Sequence, residues 1–248
     1  SGGDADYDGD LASFRLTNLA RDALGLVRAL GHERVSVVGH DFGSPVAGCC
    51  ALTRPDVFER VVMMSAPFPG RPELPLGSAD APDDVDTGVD PRVAGDGDAE
   101  SDLHDELAAL PRPRKHYQWY YSTRGANDEM LHCPQGVAAF LRAYFHHKSA
   151  DWPGEAPFEL SARTASELAK LPDYYVMDLA KGMAETVAPE MPSAGQIASN
   201  SWLTEAELAV YAGEFERTGF QGGLQWYRCH TDGRSNADLQ LYAGRPID

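Results

Sequence analysis

The chain is poor in lysine and has no long apolar run. Four lysines and 17 arginines stand against 38 acidic residues, so the formal net charge is -17 over 248 residues. Nucleic-acid phosphates require a basic face, and this charge balance argues against a nucleic-acid partner. No apolar stretch approaches the ~20 residues that a membrane-spanning helix needs. The chain also does not open with the charged and then apolar segments of a secretory signal.

Cysteine is scarce as well. The four cysteines show no CxxC spacing, which predicts reduced, mostly buried thiols in a cytoplasmic protein rather than a disulfide or metal framework. They are Cys49, Cys50, Cys133 and Cys229. His146 and His147 are adjacent on a predicted helix, where neighbouring side chains point about 100° apart and do not share a metal. No feature of the sequence requires a metal or another cofactor.

The apolar content is sufficient for a sizeable core. With 43% hydrophobic residues, the chain can form one α/β domain that carries an insertion. Much of the acidic charge lies in residues 78–106, which are rich in Asp, Gly and Ala. This composition predicts a solvated, mobile loop.

A strand–helix–strand pattern occupies the first quarter of the chain. Helical spacing predicts a helix over residues 17–30, and the β-branched run at 35–38 predicts a buried strand. A helix then follows at 44–54 and a strand at 61–65, so we expect a piece of parallel sheet. The predicted apolar face of the first helix is Leu19, Ala23, Leu26, Val27 and Leu30.

The later part of the chain is mostly helical by pattern. Thr204 and Glu207 have the spacing of a capping box, which predicts a helix start. Two stripes have helical spacing. They are Val137, Phe140, Leu141 and Tyr144 in one helix, and Leu208, Tyr211 and Phe215 in another.

The turn between the first strand and the second helix contains a candidate catalytic nucleophile. It reads Gly39-His40-Asp41-Phe42-Gly43, a nucleophile flanked at two residues' distance by glycines. A carboxylate at the centre is already anionic and can displace a leaving group from saturated carbon, forming an enzyme ester that water then hydrolyses. The alternative is that Asp41 simply caps the helix that follows.

Three segments together resemble the epoxide hydrolases of the α/β-hydrolase superfamily. The turn at 39–43 resembles their nucleophile elbow, and His-Tyr-Gln-Trp-Tyr at 116–120 resembles their first cap-domain tyrosine motif. Gly-Phe-Gln-Gly-Gly-Leu-Gln-Trp-Tyr-Arg at 219–228 resembles the second. The motifs occur in the family's order, and the resemblance covers residues 11–248. It implies a partial α/β-hydrolase parallel sheet with a mostly helical cap domain.

The resemblance also implies roles for individual residues. Asp41 would attack a small apolar epoxide, and the backbone N–H of Phe42 would contribute to the oxyanion hole. Tyr117 and Tyr227 would hydrogen-bond the epoxide oxygen and help to protonate it. The pocket would be lined by Gln118 and Trp226. A buried tyrosine can also be a packing residue, and only the motifs distinguish these two.

The family pattern divides the chain into four parts. Residues 1–70 are predicted to be a partial core with the elbow, 71–110 an acidic flexible loop, 111–235 the helical cap, and 236–248 a return to the core sheet. The sequence starts Ser-Gly-Gly and has neither a His-Gly-x-Pro loop nor a matching acid and histidine after the cap. We therefore expect a partial sequence of a longer protein, the alternative being a short inactive relative.

Two other functions stay open at the level of sequence. A haloalkane dehalogenase uses the same aspartate elbow, but commonly carries tryptophan where this chain has Phe42. A non-catalytic relative could bind an apolar ligand in the cap cleft. Residues in the sequence do not decide the particular substrate or the oligomeric state.

Overall fold

The computed structural model describes residues 5–66, 68, 97–154, 158–231 and 237–245. The chain divides into two compact units, each formed by two stretches of sequence. The helical unit comprises Ser1–Gly9 and Asp98–Arg228, and the sheet unit comprises Asp10–Gly97 and Cys229–Asp248. The first nine residues therefore belong with the later part of the chain.

The sheet unit contains the predicted strand–helix–strand pattern. Strands β1 and β2 pair in parallel, with Ser36 opposite Arg60 and His40 opposite Met64. The elements of the unit are a 3-10 helix at Leu11–Phe14, α1 (Leu16–Ala29), β1 (Val35–His40), α2 (Gly43–Thr53), β2 (Phe58–Met64) and a 3-10 helix at Ala237–Tyr242. The predicted parallel sheet is confirmed, and β2 begins three residues before the predicted position.

The burial of these strands differs from the prediction. Val38 in β1 is 61% exposed, and Met63 and Met64 in β2 are each 45% exposed. A parallel strand is buried when helices cover both faces of its sheet. Within the described residues, α2 packs closely on β1 and β2 and leaves these side chains uncovered.

The face that α1 buries also differs from the predicted one. Leu16, Ala20 and Val27 are buried, whereas Leu26 and Leu30 are 61% and 64% exposed. The predicted face and the buried face both repeat at helical spacing. Periodicity alone cannot decide which of two adjacent faces packs against α2.

Within the described residues, the helical unit contains twelve helices and strands, one of them a 3-10 helix. A three-residue strand pair, β3 with β4, is antiparallel and was not predicted, because three residues are too few to show a period. The elements are α3 (Gly97–Ala108), β3 (Arg114–His116), α4 (Tyr117–Tyr121), α5 (Ala126–Leu131), α6 (Val137–His147), α7 (Ala165–Leu168), β4 (Val176–Asp178), α8 (Met183–Val187), a 3-10 helix at Ala188–Glu190, α9 (Ala194–Ser199), α10 (Glu205–Thr218) and α11 (Gln221–Thr231).

The core of this unit forms around α6. Phe140 is 2% exposed and contacts the rings of Tyr144 and Phe220. The predicted capping box at the start of α10 is present, with Thr204 and Glu207 bonding each other's backbone N–H groups. The stripe on α10 is buried at Leu208, but Tyr211 is 50% exposed and lies at its edge.

The acidic stretch is partly helical. Residues 71–96 lie outside the described residues, but α3 occupies Gly97–Ala108 and replaces the last part of the predicted loop.

At the other end of the chain, the 3-10 helix Ala237–Tyr242 stands where we expected a return to the core sheet, and Asp238 accepts hydrogen bonds from Arg15 and Thr17.

All four cysteines are buried thiols, as predicted. Burial raises the pKa of Cys49 to about 12 and that of Cys50 to about 11, so both remain protonated and poorly nucleophilic. Every helix within the described ranges is too short or too polar to cross a membrane.

Phe140 tests the core of the helical unit. We expect Phe140→Ala to lower the free energy of unfolding by about 3–5 kcal/mol, because the change removes a buried ring and leaves a cavity. Val210→Ala, at a position 67% exposed on α10, is the control and should change it by about 0.5 kcal/mol or less. Urea denaturation followed by circular dichroism measures both, and equal effects would contradict this assignment of the core.

Candidate active site

The turn after β1 holds Asp41 in a left-handed backbone conformation. Its φ is 52°, a value that non-glycine residues rarely adopt. Two hydrogen bonds fix the conformation: the Asp41 N–H donates to Met64 O at 3.0 Å, and the Ser44 N–H donates to Asp41 O at 2.9 Å. Backbone contacts thus hold a strained residue at the turn between a strand and a helix.

Gly39 allows the turn to close. A Cβ at this position would lie 2.1 Å from the carbonyl oxygen of Gly43 and 2.8 Å from Cα of Ser44, both backbone atoms that cannot move aside. Gly43 is different, because a Cβ there would have no neighbour within 4 Å among the described residues. Only the first of the two motif glycines is therefore required by packing within this part of the chain.

Ser44 is a structural residue. It is fully buried, and its hydroxyl lies 3.0 Å from Gly39 O and 2.9 Å from Met64 O. The same oxygen accepts the N–H of Met64 at 3.1 Å. The hydroxyl thus ties the start of α2 to the ends of β1 and β2, and it is not presented as a nucleophile.

The carboxylate of Asp41 is exposed and does not cap α2. Its Oδ2 accepts the N–H of Phe42 at 2.7 Å. The N-cap position of α2 belongs to Phe42, and no side chain caps that helix end. A capping carboxylate accepts from the second or third amide inside the helix, so the capping alternative does not describe this side chain. The amino-terminal end of α2 lies next to it.

Tyr117 and Tyr227 come together in the helical unit. Their ring centroids are 5.9 Å apart in an edge-to-face arrangement. Tyr117 opens α4 and its N–H donates to Tyr175 O at 2.8 Å, which anchors it to the loop before β4. Tyr227 lies on α11, and both side chains are half-buried. The two tyrosine motifs, 110 positions apart in sequence, thus form one aromatic pair.

Gln118 and Trp226 are the sequence neighbours of this pair. The side-chain amide of Gln118 donates to the hydroxyl of Tyr117 at 3.4 Å. Trp226 precedes Tyr227 on α11 and is half-buried. Asp41 and Phe42 belong to the sheet unit, whereas these four residues belong to the helical unit.

Several residues of the second tyrosine motif make structural contacts that the sequence did not indicate. Gly219 has a φ of 66° and ends α10, where a left-handed residue is needed. The N–H of Phe220 then donates to Asn127 Oδ1 at 2.9 Å. Gln225 is 1% exposed and its amide donates to Asp6 O at 2.6 Å. These contacts set the position of α11 and therefore of Tyr227.

His116 precedes Tyr117, and its ring lies 4.8 Å from the Tyr117 ring. Desolvation, together with the smaller effects of Arg163 and His104, lowers the pKa of His116 to about 4. The imidazole is therefore neutral at physiological pH. No group of three or more His, Cys, Asp or Glu residues in the described ranges is placed to hold a metal ion.

Sequence reasoning missed three residues beside the pair. Tyr121, Tyr144 and Lys148 lie next to each other and reach the Tyr117–Tyr227 contact through Tyr121. Tyr121 stands four positions after Tyr117 in α4, so helical spacing could have indicated it. The other two are on or after α6, and only the folded chain brings them close.

Comparison with known proteins identifies the class. A family model described as the alpha/beta hydrolase fold matches residues 3–231. The chain therefore belongs to the α/β-hydrolase fold family.

Within that family it is similar to epoxide hydrolases. It is 28% identical over 244 residues to epoxide hydrolase B of Mycobacterium tuberculosis, covering 95% of this chain and 60% of the relative. Epoxide hydrolase 3 of Siraitia grosvenorii is 25% identical over 227 residues, covering 91% and 54%. The structure of an epoxide hydrolase from an endophytic Streptomyces superimposes with a TM-score of 0.65 at 26% identity, covering 99% of this chain and 59% of that one. The chain spans about three-fifths of the length of these relatives.

The two glycines of the turn provide a matched test. We expect Gly39→Ala to lower the free energy of unfolding of the sheet unit by about 1–3 kcal/mol or more, because the added methyl overlaps backbone atoms. Gly43→Ala should be neutral or stabilising by up to about 1 kcal/mol, because alanine favours a helix and its methyl meets no atom of the described residues within 4 Å. Denaturant unfolding of the two variants compares them. Equal costs would contradict the close approach at Gly39.

Proposed function

We propose that this chain opens epoxides by forming a covalent ester on Asp41. The observation that carries the proposal is an exposed carboxylate on a strained strand–helix turn, with one oxygen held by the Phe42 N–H at 2.7 Å. The other oxygen is left to act as the nucleophile. The similarity to epoxide hydrolases supports this assignment.

The proposed first step is attack by Oδ1 of Asp41 on an epoxide carbon. The new C–O bond forms as the ring C–O bond breaks, and the electron pair of the broken bond remains on the epoxide oxygen. Oδ2 becomes the carbonyl oxygen of the ester and keeps its hydrogen bond to Phe42. When water adds to the carboxyl carbon, negative charge develops on that oxygen and the same N–H stabilises it. The ester C–O bond then breaks, the alkyl oxygen takes one proton of the added water, and the other proton passes to solvent or to the ionised acid, which yields a vicinal diol and the Asp41 carboxylate.

Tyr117 and Tyr227 are proposed to act on the epoxide oxygen. Two hydroxyls on adjacent rings can donate to one oxygen atom and supply a proton as its charge develops. Their half-buried rings lie among other aromatic side chains, which suits a small apolar substrate. Gln118, bonded to the Tyr117 hydroxyl, and Trp226 are proposed to line the pocket.

An epoxide fits this arrangement better than an alkyl halide. Phe42 follows the nucleophile and has no side-chain N–H to bind a departing halide. A tyrosine pair instead provides protons, which an alkoxide needs and a halide does not. We also propose a cytoplasmic location, because four buried thiols suit a reducing compartment.

Asp41→Asn tests the ester directly. We expect the 248-residue chain, mixed with styrene oxide, to gain the mass of one epoxide on the peptide that contains Asp41, as detected by mass spectrometry. The asparagine variant should gain none, because an amide is a far weaker nucleophile. Asp56→Asn, an exposed carboxylate paired with Arg54 in the same unit, is the control and should react as the unaltered chain does.

The outcome also separates the other functions. We expect the ester to accumulate, because the sequence has no acid and histidine matching the family's water-activating pair. Bromide release from an alkyl bromide, without any mass gain from the epoxide, would favour a dehalogenase. Binding of the epoxide without a mass gain would favour the non-catalytic alternative and sink the proposal.

The tyrosine pair generates a second prediction. We expect Tyr117→Phe and Tyr227→Phe each to slow ester formation by about 10- to 100-fold, since each removes one donor from the developing alkoxide. The double variant should be slower than either. Tyr211→Phe, at a position 50% exposed on α10, is the control. Quenched-flow mass spectrometry gives the rates, and unchanged rates in both single variants would contradict the assigned roles.

A further inference from the structure

A third tyrosine lies against both members of the pair. Tyr121 is 6% exposed, and its ring centroid is 4.9 Å from that of Tyr227 and 5.7 Å from that of Tyr117. Burial raises the pKa of Tyr121 well above its usual value, with Tyr144 and Tyr227 contributing. The Tyr121 hydroxyl therefore keeps its proton and remains a donor.

Tyr121 is joined to a lysine at the surface. Its hydroxyl donates to the Tyr144 hydroxyl at 3.4 Å, and the exposed ammonium of Lys148 donates to the same Tyr144 oxygen at 3.3 Å. Lys148 also lies over the rings of Tyr144, Tyr174 and Tyr175, at 5.1, 5.0 and 5.4 Å. Hydrogen bonds of this length in a free enzyme can shorten when charge develops during reaction.

The Lys148 ammonium sets the direction of the hydrogen bonds in this series of side chains. An ammonium group only donates, so the Tyr144 oxygen is held as an acceptor and the Tyr144 proton stays available. If an acid tyrosine loses its proton, Tyr121 can turn its O–H towards the resulting anion. Tyr144 can then donate a hydrogen bond from its own O–H to the Tyr121 oxygen. Such a chain, headed by a positive charge, is strengthened by polarisation in a low-dielectric interior.

We propose that Tyr121, Tyr144 and Lys148 are positioning residues that orient the Tyr117–Tyr227 pair and stabilise the negative charge left on it when it protonates an epoxide oxygen. This inference rests on the proposed function. It assigns to these three residues a role in the ring-opening step, when charge develops on the epoxide oxygen, and none in hydrolysis of the ester.

Other titratable groups also face this cluster. Tyr120 on α4 contacts the Tyr121 ring at 5.6 Å, donates to Glu129 on α5 at 2.9 Å, and has Lys115 over its ring at 5.0 Å. His116 on β3 lies beside Tyr117 and is neutral at physiological pH. The Lys148 charge is thus distinguished by its hydrogen-bonded path to Tyr121.

The experiment measures the rate of ester formation with styrene oxide as a function of pH. Tyr144→Phe deletes one oxygen atom and keeps the ring, and Lys148→Met removes the charge and keeps an unbranched side chain. Lys148→Arg restores the charge. Lys170→Met is the matched control, because Lys170 is an exposed lysine of the same unit that pairs with Glu167.

We expect Tyr144→Phe and Lys148→Met each to lower the plateau rate by about fivefold to tenfold, the effect of losing one charge-assisted interaction. The rate falls at alkaline pH because the acid tyrosine must be protonated. Loss of the hydrogen-bonded series of side chains removes stabilisation of the tyrosine anion. The pKa of the acid tyrosine should therefore rise, and the alkaline limb should move to higher pH. Lys148→Arg should restore most of the rate, and Lys170→Met should change neither quantity.

Two results would overturn the inference alone. One is an unchanged profile in both variants, and the other is a lower plateau with an unmoved alkaline limb, which indicates packing only. In both cases Tyr117→Phe and Tyr227→Phe would still be slow. If those two variants react at the normal rate, the proposed roles of the pair fail, and the supporting chain fails with them.

Discussion

The left-handed conformation of Asp41 is the constraint on which the rest of the sheet unit depends. An L-residue adopts it only where its surroundings enforce it, and here the backbone of Met64 and Ser44 does so. Gly39 lets the entering strand and the leaving helix approach to a separation that no Cβ would permit. The Ser44 hydroxyl then bonds the ends of both strands from the start of the helix. The exposed carboxylate is the consequence of these contacts.

In the helical unit, the rings of Tyr117 and Tyr227 pack edge to face among other aromatic side chains. Tyr117 is fixed by its backbone bond to Tyr175, and Tyr227 is fixed through α11. That helix is held in turn by Asn127 at its start and by the N-terminal segment at Gln225. Edge-to-face contacts between the rings add to their burial and limit their rotation.

Apolar side chains of β1 and β2 are exposed on one face of the sheet within the described residues. Val38, Met63 and Met64 have the side chains of a parallel sheet with helices on both faces, but one face is uncovered within the described residues. The apolar character of these residues explains why the sequence predicted that the strands would be buried. Residue type reports the environment for which a strand is suited, whereas exposure depends on which neighbours are present.

The sequence by itself determined the parallel strand–helix–strand unit, the aspartate at its turn, the capping box at Thr204 and the two tyrosine motifs. Each is a local pattern whose spacing reflects backbone geometry over a few residues. Only the tertiary structure decided which stripe of α1 is buried, that Gly39 rather than Gly43 is required, and that Tyr117 meets Tyr227. It alone revealed that Tyr144 and Lys148 reach that pair through Tyr121. These relations join residues far apart in the chain, and no period in the sequence records which helix faces will meet.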